Sequence, residues 1–205
     1  MHQTERIDQH LSFTDCAPPE YIDKFWEVRQ MQDAWRSNMA EIFFPCWVVC
    51  LDESMSIWHC QWTCPGFVFC PRKPHPLGNE YHTICCAITG ILFDFELVEG
   101  KDHQKELPPE MFVQFGKTGG LLLRLTKTTH GSGRYVILDS GFCVLKAIVG
   151  LCQHGIFSGA LIKKRRYWPA LVPGDAIDQY FEDKPVGSAA AVAGKLDGVP
   201  YKYSA

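Results

Sequence analysis

Apolar and polar positions change their period along the chain. From Pro18 to Ile42, the residues Tyr21, Ile22, Phe25, Trp26, Met31, Trp35, Met39 and Ile42 recur at spacings near three and four, with charges between them in DKFWEVRQMQDAWRSNMAE. That period predicts an amphipathic helix that begins near Asp15 or the Pro18-Pro19 pair. Its aromatic stripe reads as core packing rather than a ligand box. After Pro45 the pattern shortens. CWVVCLD is β-branched in its middle, has no helical period, and predicts a strand buried on both faces that ends at Asp52. GFVFC and HTICCAI are two further apolar runs, and Thr89-Gly90 separates the second from ILFDFELV, which predicts a hairpin or meander.

A charged, proline-interrupted connection follows, EGKDHQKELPPE, and then a segment from Met111 to Leu125 that reads as a helix followed by a strand-like leucine run. RYVILDSG is a second apolar strand ending in an aspartate, Asp139. Behind it, Val144, Leu145, Ile148, Leu151 and Cys152 fall on one helical face, and Gly155 supplies the stop. IFSGALI is the last strand candidate and runs into Lys163-Lys164-Arg165-Arg166. Three antiparallel-type strands, a connection, then strand, helix and strand predict an α/β or α+β sheet with helices packed on it.

Composition narrows the classes. At 205 residues, 46% apolar and 13% aromatic, the chain can bury a domain core. A net charge of −3 gives no global electrostatic case for nucleic acid, so such a case rests on local clusters. Ten cysteines would suit a secreted disulfide scaffold, but Met1 is followed by the polar HQTERIDQH, so the expectation is a reduced, intracellular protein. No apolar run approaches the roughly 18 residues of a spanning helix, so no membrane partner is expected.

Two strands that each end in a carboxylate are the feature with chemical content. In an open α/β sheet the carboxyl ends of strands face the ligand crevice, so Asp52 and Asp139 converge if their strands are neighbours. Paired carboxylates call for a cation, and hard oxygen ligands favour Mg²⁺ or Mn²⁺. Against this, an aspartate after a strand is commonly a turn former or helix N-cap, and Asp139 suits that role. Glu53, by alternation, faces away from Asp52 towards solvent or a salt bridge. His59, Cys60, Cys64 and Cys70, with Cys46 and Cys50, could hold zinc, but their spacings are not those of C-x2-C knuckles, and Cys85-Cys86 reads as packing. The run Lys163, Lys164, Arg165 and Arg166 beside Tyr167 and Trp168 suits phosphate contact, and equally nuclear import or a solvated face. Arg72, Lys73 and His75 form a second basic patch.

CLDESM, GFVFCPRKPHPLGNEYHTICCAITGILFDFELVEGKD and RYVILDSGFCVLKAIVGLCQHGIFSGALIKKRRYWP together resemble the core of piggyBac-type transposases and transposable element-derived proteins. The matching features are a D-E pair ending a strand, the P-x-K-P-x-x-x-G stretch at Pro71, Lys73, Pro74 and Gly78, and a strand-aspartate-helix segment that leads to a basic run before a proline. The similar stretch covers about Trp35 to Pro169 in the right order. The resemblance implies a ribonuclease H-like mixed sheet flanked by helices and preceded by a helical segment. It divides the chain into a lead-in and helix at 1–44, the first part of the core at 45–170, and the start of an insertion at 171–205.

The resemblance further implies DDD-type strand cleavage and joining on transposon-end DNA with Mg²⁺ or Mn²⁺, a nuclear location, and a homodimer, without a small-molecule substrate. Asp52 matches the family's first metal-holding aspartate and Asp139 the second. Nothing here matches the third: Asp175, Asp178, Asp183 and Asp197 lie in other contexts, and the family's carboxyl-terminal zinc module has no counterpart. The expectation is therefore a core that is inactive as it stands, from an incomplete, decayed or domesticated copy. The alternatives are a non-catalytic DNA-binding or protein-interaction domain, or an unrelated metal-dependent nuclease of the same topology.

Overall fold

The computed structural model of the chain describes residues 23–62, 64–99, 115–163 and 174–205. The described elements are helix α1 (Trp26–Ile42), strands β1 (Val48–Ile57), β2 (Phe67–Phe69), β3 (Leu77–Cys86) and β4 (Leu92–Leu97), helix α2 (Gly116–Leu125), strand β5 (Tyr135–Leu138), helix α3 (Leu145–Gln153), strand β6 (Phe157–Ala160), helix α4 (Gly174–Phe181), and strands β7 (Ala191–Leu196) and β8 (Val199–Ser204). Six strands make one mixed sheet in the order β2-β3-β1-β5-β6, with β4 also paired to β3, and β7-β8 form a separate hairpin. The expected helix start at Asp15 or Pro18 lies outside the described residues.

Contacts divide the chain into two compact units, one of Met1–Phe44, Glu53–Thr83 and Leu92–Lys105, the other of Pro45–Asp52, Ile84–Ile91 and Glu106–Ala205. In the first, α1 is tied to β4 by polar groups as much as by apolar ones. Gln32 is buried and donates to Phe95 O at 3.2 Å, Arg36 Nε pairs with Asp94 Oδ1 at 2.6 Å, and Trp35 packs on Phe95 with ring centroids 5.3 Å apart. Met31 and Ile42, assigned to the apolar stripe by their spacing, are exposed.

Within the same unit, β1 continues past Asp52 to Ile57, so the strand does not end at its aspartate as its hydrophobicity suggested. Hydrogen bonding rather than burial carries this extension. Ser54 and Thr83 hydroxyls meet at 3.4 Å and Trp58 N donates to Leu77 O at 3.1 Å. Gly78 permits the close approach: its φ is 154°, and a Cβ there would lie 1.9 Å from Ser56 O. Gly78→Ala is expected to break this end of the β1–β3 ladder and cost about 2 kcal/mol or more. A lowered urea midpoint checks it, and an unchanged midpoint would contradict the packing described.

In the second unit, three parallel strands form the scaffold. Leu51 pairs in register with Leu138 across β1 and β5, and Leu138 with Ala160 across β5 and β6. Val49, Leu51, Val136 and Leu138 are buried, as are Leu122, Leu123 and Leu125 of α2 and Ala147, Val149 and Leu151 of α3. The alternate positions Cys50, Tyr135 and Ile137 are partly or fully exposed, so β1 is not buried on both faces as expected.

The leucine run at 121–125 is helix, not strand. Leu121, Leu122, Leu123 and Leu125 are all buried, and three consecutive leucines mask the narrow polar stripe of Lys117 and Arg124, so the run reads like a strand in the sequence. Gly150 of α3 lets the Phe115 ring close in, because a Cβ there would meet ring atoms at 2.9 Å.

Candidate functional site

Asp52 and Asp139 each follow the last paired rung of two adjacent parallel strands, Leu51 with Leu138. Adjacent strands lie about 4.8 Å apart, and side chains alternate, so both aspartates stand at the same level on the face opposite the buried leucines. Both belong to the second unit. The condition set by the sequence, that the two strands be neighbours, is met.

The two carboxylates differ in setting. Asp139 has an extended backbone, φ −66° and ψ 163°, and precedes a 3-10 turn at Ser140–Phe142 whose Phe142 N donates to Asp139 O at 2.9 Å. The Ser140 N–H, then the Gly141 N–H, Lys163 and the Ser140 hydroxyl hold the Asp139 carboxyl below the usual carboxylate range, against a burial effect that works the other way. Ser140 Oγ donates to Asp139 Oδ2 at 3.3 Å. Asp52 is exposed, and its charge reaches the thiols of Cys50 and Cys85, both pushed up chiefly by burial.

Lys163 stands three residues beyond β6, and its Nζ lies 3.6 Å from Asp139 Oδ1. Sequence reading grouped Lys163 with phosphate-binding residues, and its contact with a site acid was missed. The signal was present: Lys163 follows the strand that neighbours the one carrying Asp139. Lys164, Arg165 and Arg166 lie outside the described residues. Lys73 donates to Glu53 O at 2.9 Å and stands 3.9 Å from Glu53 Oε2, so Glu53 takes the salt bridge its alternation suggested. Arg72 is exposed on the same loop.

Carboxylate oxygens are the hard donors that Mg²⁺ or Mn²⁺ takes, and the Lys163 ammonium already stands beside one of these two carboxylates. Among the described residues no group of three His, Cys, Asp or Glu is arranged to hold a metal ion, which leaves the pair without a third protein ligand there and gives the cysteines no zinc geometry. No described helix is long and apolar enough to cross a membrane.

No curated protein matches the chain. Among solved structures, a chain of the "piggyBac transposase synaptic complex with hairpin DNA" matches with a TM-score of 0.65 at 19% identity, over 86% of this chain and 34% of that one. The protein thus spans about a third of that chain's length, and the likeness bears out the ribonuclease H-like α/β fold. The family model described as Transposase IS4 matches residues 4–195. With the sheet order, the placement of the two aspartates and a match along nearly the whole chain, the protein belongs to the IS4-type transposase family.

Proposed function

We propose that the protein is a transposase-derived DNA-binding domain in which Asp52 and Asp139 share one divalent cation and the basic residues contact phosphate. The observation that carries this reading is the common level of the two aspartates, one residue beyond the Leu51–Leu138 rung. A divalent ion held there would supply positive charge for a phosphate oxygen. Ser140 and Gly141 orient Asp139 and keep it ionised, and β1 holds Asp52 at a fixed height beside it.

Lys163 is the counter-charge of Asp139 when no metal competes, and it becomes available to phosphate when one does. Arg72, Lys164, Arg165 and Arg166 are further candidate phosphate contacts in this reading, while Lys73 braces Glu53. Residues 45–170 form the core and 171–205 open an insertion, with 1–44 as lead-in and helix. Two carboxylates bind a cation but do not fix two ions in line with a scissile phosphate, so strand cleavage by this chain alone is expected to be undetectable.

Fluorescence anisotropy with hairpin DNA tests the proposal. Binding should strengthen with Mg²⁺ in the native chain and lose that dependence in Asp139→Asn, with a salt slope of about −0.9 per neutralised phosphate. Mg²⁺-dependent nicking that disappears in Asp52→Asn would instead establish an active strand-cleaving enzyme. Absence of DNA binding at low salt would overturn the proposal.

A further inference from the structure

Four cysteines of the second unit gather where β1 begins and β3 ends: Cys46, Cys50, Cys85 and Cys86. They are not equivalent. The thiols of Cys50 and Cys85 are pushed up, mainly by burial, and are correspondingly inert. Cys86, only 1% exposed, is surrounded by donors instead. Cys46 N donates to Cys86 Sγ at 3.5 Å, the Thr89 hydroxyl and N–H point at the same sulfur, and the Cys46 thiol lies within hydrogen-bonding reach of it.

We propose that Cys46 and Cys86 are an oxidisable thiol pair that a hydroperoxide converts to a disulfide, tying the residue two before β1 to the last residue of β3. The Thr89 hydroxyl first, then the Cys46 N–H, hold the Cys86 thiol below its ordinary value and so favour the thiolate, the attacking form. That thiolate attacks one oxygen of the peroxide, the O–O bond breaks, hydroxide leaves, and Cys86 becomes a sulfenic acid. The Cys46 sulfur then attacks the Cys86 sulfur, the S–O bond breaks, and the hydroxyl leaves as water with the Cys46 proton. Two thiols are oxidised by two electrons, and one hydrogen peroxide is reduced to two waters.

The surroundings suit this step. Cys86 lies directly before the exposed turn 87–90, so a small oxidant has a short path, and Cys46 is half-buried. The backbone on both sides is pinned: Arg134 donates to Pro45 O at 2.9 Å and Cys46 O at 3.0 Å, and Cys86 N donates to Ile91 O at 3.0 Å. The Cys46 thiol must leave Val48 O, which it meets at 2.7 Å, but that carbonyl keeps the Ala87 N–H at 3.1 Å and is not orphaned.

Reduced protein treated with hydrogen peroxide, then denatured and alkylated, tests the pair by mass spectrometry. Eight of the ten cysteines should alkylate, and a peptide crosslink should map to Cys46–Cys86. In Cys46→Ser the resolving thiol is gone, and dimedone should label Cys86 as its sulfenic acid. Ten alkylated cysteines after peroxide, or a crosslink that joins other cysteines, would overturn the proposal, and the native chain decides this without any variant having to fold.

Discussion

Arg29→Met is expected to lower stability by about 3–5 kcal/mol, because it strips the cation from two buried carboxylates at once. Asp23 and Glu99 are 7% and 9% exposed, and the Arg29 guanidinium reaches both in bidentate fashion. Its Nε and Nη2 each lie 2.9 Å from Asp23 carboxylate oxygens, and its Nη1 and Nη2 lie 2.5 and 2.7 Å from those of Glu99. Asp23 Oδ1 also accepts Phe25 N at 2.9 Å, one residue before α1 begins. The Glu99 and then the Asp23 hydrogen bonds raise the guanidinium above its ordinary value, so Arg29 stays charged at every working pH.

Methionine keeps much of the stem's volume, so the loss isolates charge rather than a cavity. By contrast Lys73 and Glu53, 3.9 Å apart and a quarter to a third exposed, should contribute under about 1 kcal/mol. A urea midpoint measures both. The pH dependence carries a further sign: buried carboxylates deprived of this cation have folded pKa values raised relative to those in the native chain, and a value above the unfolded one reverses the sign of their contribution. Their contribution is then present below the unfolded pKa and lost as pH rises through the folded one, so the deficit should be smaller near about pH 5 than near about pH 8. A cost below about 1 kcal/mol would mean the bridge is not the anchor described.

What could be read from the sequence was whatever local pattern alone decides. The strand before Asp139, the helix at 145–153 and the turn at Gly90 were legible because β-branched runs, a 3.6-residue period and a glycine at φ 69° are each sufficient local signals. The second half of β1 was not legible. Glu53, Ser54 and Ser56 look like a loop, and only pairing with β3 makes them a strand. The leucine run misled for the opposite reason, since consecutive buried leucines outweigh the narrow polar stripe of Lys117 and Arg124. Asp197-Gly198 turns the β7–β8 hairpin with φ of 49° and 79° in a two-residue loop, a strong local signal that was passed over. The adjacency of β1 and β5, the condition for Asp52 and Asp139 to converge, is seen only in the sheet order, and the Lys163 contact likewise required knowing that β6 lies beside β5.

The second large effect concerns that site. A divalent ion shared by Asp52 and Asp139 draws most of its binding energy from both carboxylates together, so losing either should weaken it by more than about tenfold, the least that even supporting partners of metal ligands contribute. The two losses should not add, because the second substitution acts on a site already broken. Lys163 works in the other direction: its ammonium, 3.6 Å from Asp139, competes with the ion, so Lys163→Ala should tighten binding. Asp139, held below the usual carboxylate range, should keep its charge and its share of the ion as the solution is acidified past the point where ordinary carboxylates protonate.

Titration of Mn²⁺ into the native chain, Asp52→Asn, Asp139→Asn and the double variant, followed by the electron paramagnetic resonance of the free ion, addresses the claim most directly. The account predicts one site per native chain, a loss of more than about tenfold in each single variant, and no further loss in the double. Mn²⁺ binding that is the same in both single variants as in the native chain would contradict it.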